Sequence, residues 1–191
     1  MRVIAGRLGG RRIYAPPGKE VRPTTGRVKE ALFSMILGII PGSQGLDLFA
    51  GSGAIGIEAL SRGAKQVTFV EKSRRVARVV EKNLIALGLT NEATLWIDDA
   101  NRAIYRLKRA EPLDWIFADP PYREGWPQRL IGPLQPLLRI GAQLIIEHDP
   151  KEQLTPPDLL ILIDQRSYGD TMLSRYRRVP EPAGAGEDHD R

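Results

Sequence analysis

The sequence predicts an α/β fold, a mostly parallel sheet of seven strands with helices on both faces. Three observations predict it. From residue 45 to residue 147, short apolar runs alternate with stretches of helical periodicity. The last two strand-like runs, 159–164 and 171–176, leave no room for a helix between them and so pair antiparallel. The 191 residues, 42% of them hydrophobic, can bury one such core and leave little for a second domain.

The elements follow in order. Residues 1–22 read as a short β-hairpin or extended arm, with Gly9-Gly10 as the turn between Val3-Ile4 and Arg12-Ile13-Tyr14. Thr24 or Thr25 caps a helix on which Val28, Leu32, Met35, Ile36 and Ile39 recur at helical spacing, and Pro41-Gly42 stops it. Strands follow at 45–49, 66–71, 94–98, 113–118 and 142–147. The helices between them fall at 55–62, from Ser73 to Gly88, at 102–108, and from Pro127, where Pro133 and Pro136 keep the last one short or broken. The stretch 23–179 is then the main domain, and the acidic, Gly/Pro-rich tail 180–191 reads as disordered.

Composition narrows the chemistry. With no cysteine and two histidines there is no disulfide framework, no thiol nucleophile and no Cys/His metal cluster, and no metal is expected. The opening MRVIAGRLGGRR lacks the apolar core of a signal peptide. The longest uncharged run, 31–46, holds Pro41 and three glycines and is too short to span a membrane, so the expectation is a cytoplasmic monomer. Net charge is +5, yet residues 1–30 alone carry eight Arg or Lys against two Glu. A basic arm on a near-neutral body points to a polyanionic partner, with Arg7, Arg11 and Arg12 as its phosphate contacts.

Asp47-Leu-Phe49-Ala-Gly51-Ser-Gly53-Ala-Ile-Gly56 places a glycine turn between a strand and a helix, where a backbone must bend sharply and approach a ligand. Glu71 ends the next strand and can accept from both hydroxyls of a ribose. Asp98-Asp99 ends the third strand on the same edge; either acid could accept from an adenine amine, and Asp99 could equally cap the following helix. Nicotinamide cofactors and S-adenosylmethionine both use a glycine turn and a ribose acid. Asp47 separates them, because an acid this close would oppose a pyrophosphate and favour an ammonium.

Asp119-Pro120-Pro121-Tyr122 emerges from the fourth strand at the edge of the glycine turn. Two prolines fix the backbone, and the Asp119 carboxylate with the Pro120 carbonyl offers two acceptors to the N–H groups of a base amine. Tyr122 can stack on the base and aim its nitrogen at a methyl donor.

The set DLFAGSGAIGIEAL, VTFVEK, DDA and DPPY resembles the class I S-adenosylmethionine-dependent methyltransferases, whose domain is Rossmann-like. The opening MRVIAGRLGGRRI, RPTTGRVKEALF and YGDTMLSRYRR narrow the resemblance to the RsmD family of 16S ribosomal RNA guanine-N2 methyltransferases, over nearly all of residues 1–179. The resemblance implies an added N-terminal hairpin and a guanine of 16S rRNA as substrate, within the small ribosomal subunit or its assembly intermediate. It implies that Asp47, Gly51 and Gly53, with Phe49 among them, hold the methionine part of the cofactor. Glu71 takes the ribose, Asp99 and the Ala100 backbone the adenine, and Asp119, Pro120, Pro121 and Tyr122 the guanine. Arg22, Pro23 and Thr24 sit near the rim. Gly26 stands where the family often has Asp, which weakens any role for a carboxylate there. Two alternatives remain: a DNA adenine-N6 methyltransferase, for which the chain has no obvious target-recognition domain, and a non-catalytic nucleic-acid-binding module, which would not need intact glycine and DPPY motifs.

Overall fold

The computed structural model describes residues 1–16, 26–121 and 124–182. Its sheet has seven strands among the described residues, β1 (Gln44–Leu48), β2 (Gln66–Val70), β3 (Ala93–Trp96), β4 (Leu113–Ala118), β5 (Leu138–His148), β6 (Leu160–Tyr168) and β7 (Thr171–Arg178). They lie in the order β3-β2-β1-β4-β5-β7-β6. The five leading strands are parallel, and β7 pairs antiparallel with both β5 and β6, as the missing helix between the last two runs requires. The helices that accompany them are α1 (Gly26–Ile36), α2 (Ala54–Ser61), α3 (Arg74–Leu87), α4 (Ala100–Leu107) and α5 (Trp126–Leu134). None is long and apolar enough to cross a membrane, among the described residues.

Alternation along each strand builds two cores. Phe69, Trp115, Phe117 and Ile145 face Leu32, Phe33, Ile57, Leu60 and Val80, under α1, α2 and α3. Their neighbours Leu46, Leu48, Ile116, Ala118, Leu144 and Ile146 face Ala103, Ile104, Leu130, Ile131 and Leu134, under α4 and α5. Both faces of the central strands β1 and β4 are covered, which is why they read as nearly continuous apolar runs, while β3 at the edge is only partly buried.

Helix ends follow the expected chemistry. The Ser73 hydroxyl accepts from Val76 N, and Gly88 closes α3 at φ 70°. Asp99 caps α4, which therefore starts at Ala100, two residues before the periodicity predicts. Pro133 sits inside α5 without breaking it, because only the last turn loses a hydrogen bond; residues 135–137 then tighten into a 3-10 turn. The Thr24 and Thr25 cap positions lie outside the described residues. The fifth and sixth strands extend to His148 and Tyr168, beyond the apolar runs that mark them, because β7 pairs along both.

The N-terminal segment is a hairpin-like turn rather than a two-stranded ribbon. Among the described residues its single bridge joins Arg2 and Arg12, with Val3 N donating to Arg11 O (2.9 Å) and Gly10 N to Val3 O (2.9 Å). The turn is broader than Gly9-Gly10 and runs from Gly6 to Gly10, both at positive φ. Val3 and Ile13 join the core beside α1 and α2.

A buried carboxylate fastens this segment. Glu58 of α2 is fully buried and accepts from Ile4 N (2.8 Å), Ala5 N (2.9 Å) and Arg62 Nε (2.9 Å), while Lys29 Nζ of α1 pairs with it at 3.0 Å. Burial alone would raise its pKa, yet the hydrogen bonds from Ile4, Lys29 and Ala5, with the Lys29 charge, hold it below the ordinary carboxylate value. A lowered pKa stabilises the fold fully at neutral pH, and that contribution is lost as pH falls through the ordinary carboxylate value toward the folded one. Glu58→Gln leaves Lys29 buried without a counter-charge and should cost about 3–5 kcal/mol at pH 7. Denaturant unfolding should show this gap narrowing below about pH 4.5; a gap constant down to pH 3 would contradict the pairing.

Candidate active site at the β1/β4 crevice

The chain leaves β1 toward β2 on one side and reaches β4 on the other, so the crevice between their carboxyl ends is the topological switch point of the sheet. Asp119 N donates to Leu48 O (3.4 Å) across it and brings the Asp-Pro-Pro segment beside the glycine turn. Phe49, just after β1, takes φ 68°, a left-handed conformation that costs a bulky residue of order 1–3 kcal/mol. Gly51 and Gly53 follow at φ 56° and 77°, where glycine carries no such cost. Gly56 serves differently: a Cβ there would lie 2.2 Å from the Phe69 ring, so α2 can approach the sheet only without a side chain.

Two acids and one amide hold this turn. Asp47, on β1, is buried, and its Oδ2 accepts from Gly56 N (2.9 Å). Burial pushes its pKa up to about 7, against the lowering effect of the Gly56 bond. Glu71 accepts from Gly51 N (3.1 Å) and Ser73 N (2.8 Å), tying the turn to the start of α3. The charge at this strand end is thus held by the backbone and is not merely a solvated side chain. Each of its oxygens keeps a further acceptor position. Asn83 of α3, fully buried, donates to Ser52 O (2.9 Å) and Tyr14 O (3.0 Å) and accepts from Tyr14 N (2.8 Å).

The paired acids after β3 take separate places. Asp98 pairs with Arg106 (3.4 Å), whose guanidinium lies over Trp96. Asp99 caps α4 by accepting from Asn101 N (3.0 Å) and lies 3.7 Å from Lys72, with Ala100 buried next to it. On the β4 side of the crevice Asp119 is half-buried, Pro120 buried and Pro121 exposed. Tyr122, Arg22, Pro23 and Thr24 lie outside the described residues. Arg7 is ion-paired to Glu92, Arg11 donates to Ala86 O (3.4 Å), and Arg12 lies over the Tyr14 ring. Of the three arginines assigned to phosphates, Arg7 therefore already has an anionic partner, because the hairpin docks on the body.

Sequence reasoning missed Asn83 and Trp126. Asn83 carried a signal, a polar residue on the buried face of α3 beside Val80 and Leu84. Trp126 starts α5 and meets Phe49 edge to face with centroids 5.8 Å apart, joining the start of α5 to the glycine turn. Only the fold makes that pairing visible.

A seven-stranded sheet of this order, with a glycine turn and strand-end acids at the switch point, defines the chain as a Rossmann-like α/β protein. A solved structure of yhhF from Escherichia coli shares it at a TM-score of 0.80 and 34% identity, covering 94% of this chain and 98% of that one. The family model described as Conserved hypothetical protein 95 matches residues 1–177. The chain belongs to this family, the RsmD family. Among its relatives, YlbH of Bacillus subtilis is 39% identical over 183 residues, 93% of this chain and 99% of that protein. Ribosomal RNA small subunit methyltransferase D of Haemophilus influenzae is 34% identical over 180 residues, 93% of each chain.

The raised Asp47 pKa has a measurable consequence. Between its unfolded value near 4 and about 7 the folded state holds the proton more tightly, so stability falls as pH rises through this window and levels off above it. Asp47→Asn should match the wild type in unfolding midpoint near pH 4 and exceed it increasingly up to pH 7; equal midpoints at pH 8 would show that Asp47 ionises without cost.

Proposed function

We propose that this protein transfers a methyl group from S-adenosylmethionine to the exocyclic N2 amine of a guanine in 16S ribosomal RNA, on an assembled or assembling small subunit. The observation that carries this reading is the juxtaposition at the crevice: rigid acceptors Asp119 and Pro120 beside a glycine turn braced by Asp47 and Glu71, with Asp99 at the carboxyl end of β3. The Haemophilus influenzae relative named a ribosomal RNA small subunit methyltransferase supports the choice of RNA.

The donor set fits this cofactor. It is a set of strand-end acids beside the turn, with Asp47 buried beneath it, suited to two ribose hydroxyls, an adenine amine and an ammonium whose charge would favour the ionised form of Asp47. Asp47 and the Gly51 and Gly53 backbone would hold the methionine part, Phe49 would pack beside it, Glu71 would accept from the ribose hydroxyls, and Asp99 with the Ala100 backbone would hold the adenine. When bound, the cofactor supplies an electrophilic methyl on a sulfonium.

The rest is the work of the chain. A guanine amine is a weak nucleophile because its lone pair is delocalised into the ring. Asp119 and the Pro120 carbonyl accept from its two N–H groups, draw the nitrogen toward tetrahedral geometry and stabilise the positive charge that develops on it. Pro121 keeps the segment rigid, and Tyr122 stacks on the base. The amine proton leaves to Asp119 or to water. Arg11 and Arg12, and Arg22 and Thr24 by the family resemblance, would contact the RNA; Arg7 joins them only by leaving Glu92.

Two variants separate binding from chemistry. Asp119→Ala should lose most turnover on small subunits while keeping cofactor affinity near wild type, because its contact strengthens in the transition state. Glu71→Ala should weaken S-adenosylmethionine binding in calorimetry by about 1–3 kcal/mol. Wild-type turnover in the first variant would remove the proposed chemistry, and unchanged affinity in the second would remove Glu71 from the ribose.

A further inference from the structure

We propose that the exposed face of α3 forms, with Arg11, Arg12 and Tyr14, one continuous phosphate-binding track for RNA leading to the crevice. This rests on the reading of the protein as an RNA methyltransferase and adds a surface to it.

Charge and position carry the inference. Residues 1–16 hold four arginines and no acid, and residues 72–82 hold five basic residues against Glu81 alone. Each stretch has a net charge of +4, against +5 for the whole chain, so the remainder is net acidic. Arg74, Arg78 and Lys82 recur every fourth residue along α3 and are exposed. Among the described residues, none of these three pairs with a carboxylate.

The fold joins the two stretches end to end. The hairpin tip lies at the edge of the sheet away from the crevice: Arg7 N donates to Ser61 O at the end of α2 (2.8 Å), and Arg11 reaches Ala86 O in the last turn of α3. The tip arginines are thus separated from the crevice by the length of α3, about 21 Å for 14 residues. A strand held only at the tip would have no anchor over that span. Arg74, Arg78 and Lys82 fill it. Arg74 starts the helix just after Ser73, whose N–H is bound to Glu71 of the cofactor side, and Lys82 lies 4.0 Å from the Tyr14 ring centroid, where Arg12 lies at 5.7 Å on the hairpin side. Tyr14, 38% exposed with both cations near its ring, adds an aromatic side chain to the basic surface, the combination that single-stranded nucleic acid uses.

Helix α4 and the turn after it are similarly basic, with Arg102, Arg106, Lys108 and Arg109. They belong to the opposite face of the sheet, away from the hairpin, and Arg106 is engaged by Asp98 and Trp96. That makes α4 the matched control.

The test compares full-length Arg74→Ala/Arg78→Ala/Lys82→Ala with Arg102→Ala/Lys108→Ala/Arg109→Ala, which removes the same charge. Binding to small subunits from cells lacking the methyltransferase is measured over a salt series, beside S-adenosylmethionine affinity as a check of folding. Removing one cation that neutralises a phosphate lowers the slope of log affinity against log salt by about 0.7–0.9, so the α3 variant should lose about two slope units and the α4 variant well under one. Lysine in place of Arg74 and Arg78 should restore the slope. An α3 variant with the wild-type slope, or with a loss equal to that of α4, overturns the track, and if wild-type methyl transfer persists the functional reading stands. Wild-type protein that neither binds nor methylates the particle overturns both.

Discussion

The structure depends on keeping the turn at 49–53 bent open after β1. Phe49 is held in a left-handed conformation that its side chain disfavours, and the turn is braced from three directions. Asp47 bonds to α2 through Gly56, Glu71 bonds to Gly51 from β2, and Asn83 bonds to Ser52 from α3. Each brace comes from a different element, so the turn is over-determined by the packed sheet and the strain persists. Two of the three are acids, Asp47 buried beneath the turn and Glu71 beside it at the end of β2.

One of these braces, Asn83, together with Glu58 binds the N-terminal segment into the domain. Asn83 hydrogen-bonds Tyr14 and Ser52 with one amide, and Glu58 gathers Ile4, Ala5, Lys29 and Arg62 around one carboxylate one helical turn beyond Gly53. The hairpin is therefore packed against the helix that starts at the glycine turn, and its arginines hold a defined place relative to the crevice. A buried charge with four partners costs more to form than an apolar contact, but it fixes one geometry where an apolar contact would tolerate several.

Much of this was legible in the sequence. Apolar runs marked the strands, most strongly where both faces are buried as in β1 and β4, and the short gap between the last two runs marked the antiparallel end. The glycine spacing located the turn, since only glycine accepts the φ of residues 51 and 53 and the approach of Phe69 at residue 56. The rest depended on distance in space. Nothing in sequence spacing pairs Phe49 with Trp126, or sets Glu58 against Ile4 across more than fifty residues. Helix α4 begins early because Asp99 is a cap, which is a local fact, but Asp98 pairs with Arg106 near the far end of α4, a contact that apolar periodicity does not register. The basic face of α3 was visible as residues and acquires meaning only beside the hairpin.

The function proposed for this crevice is methylation of a base amine of small-subunit RNA. The decisive experiment incubates the protein with tritiated S-adenosylmethionine and small subunits from cells lacking it, then maps the labelled nucleotide and the labelled atom. Label is expected on N2 of one guanine of 16S rRNA, with assembled particles labelled better than a short oligonucleotide holding the same guanine. Label on a ring carbon, a ribose hydroxyl or DNA, or no label at all, would contradict this chemistry.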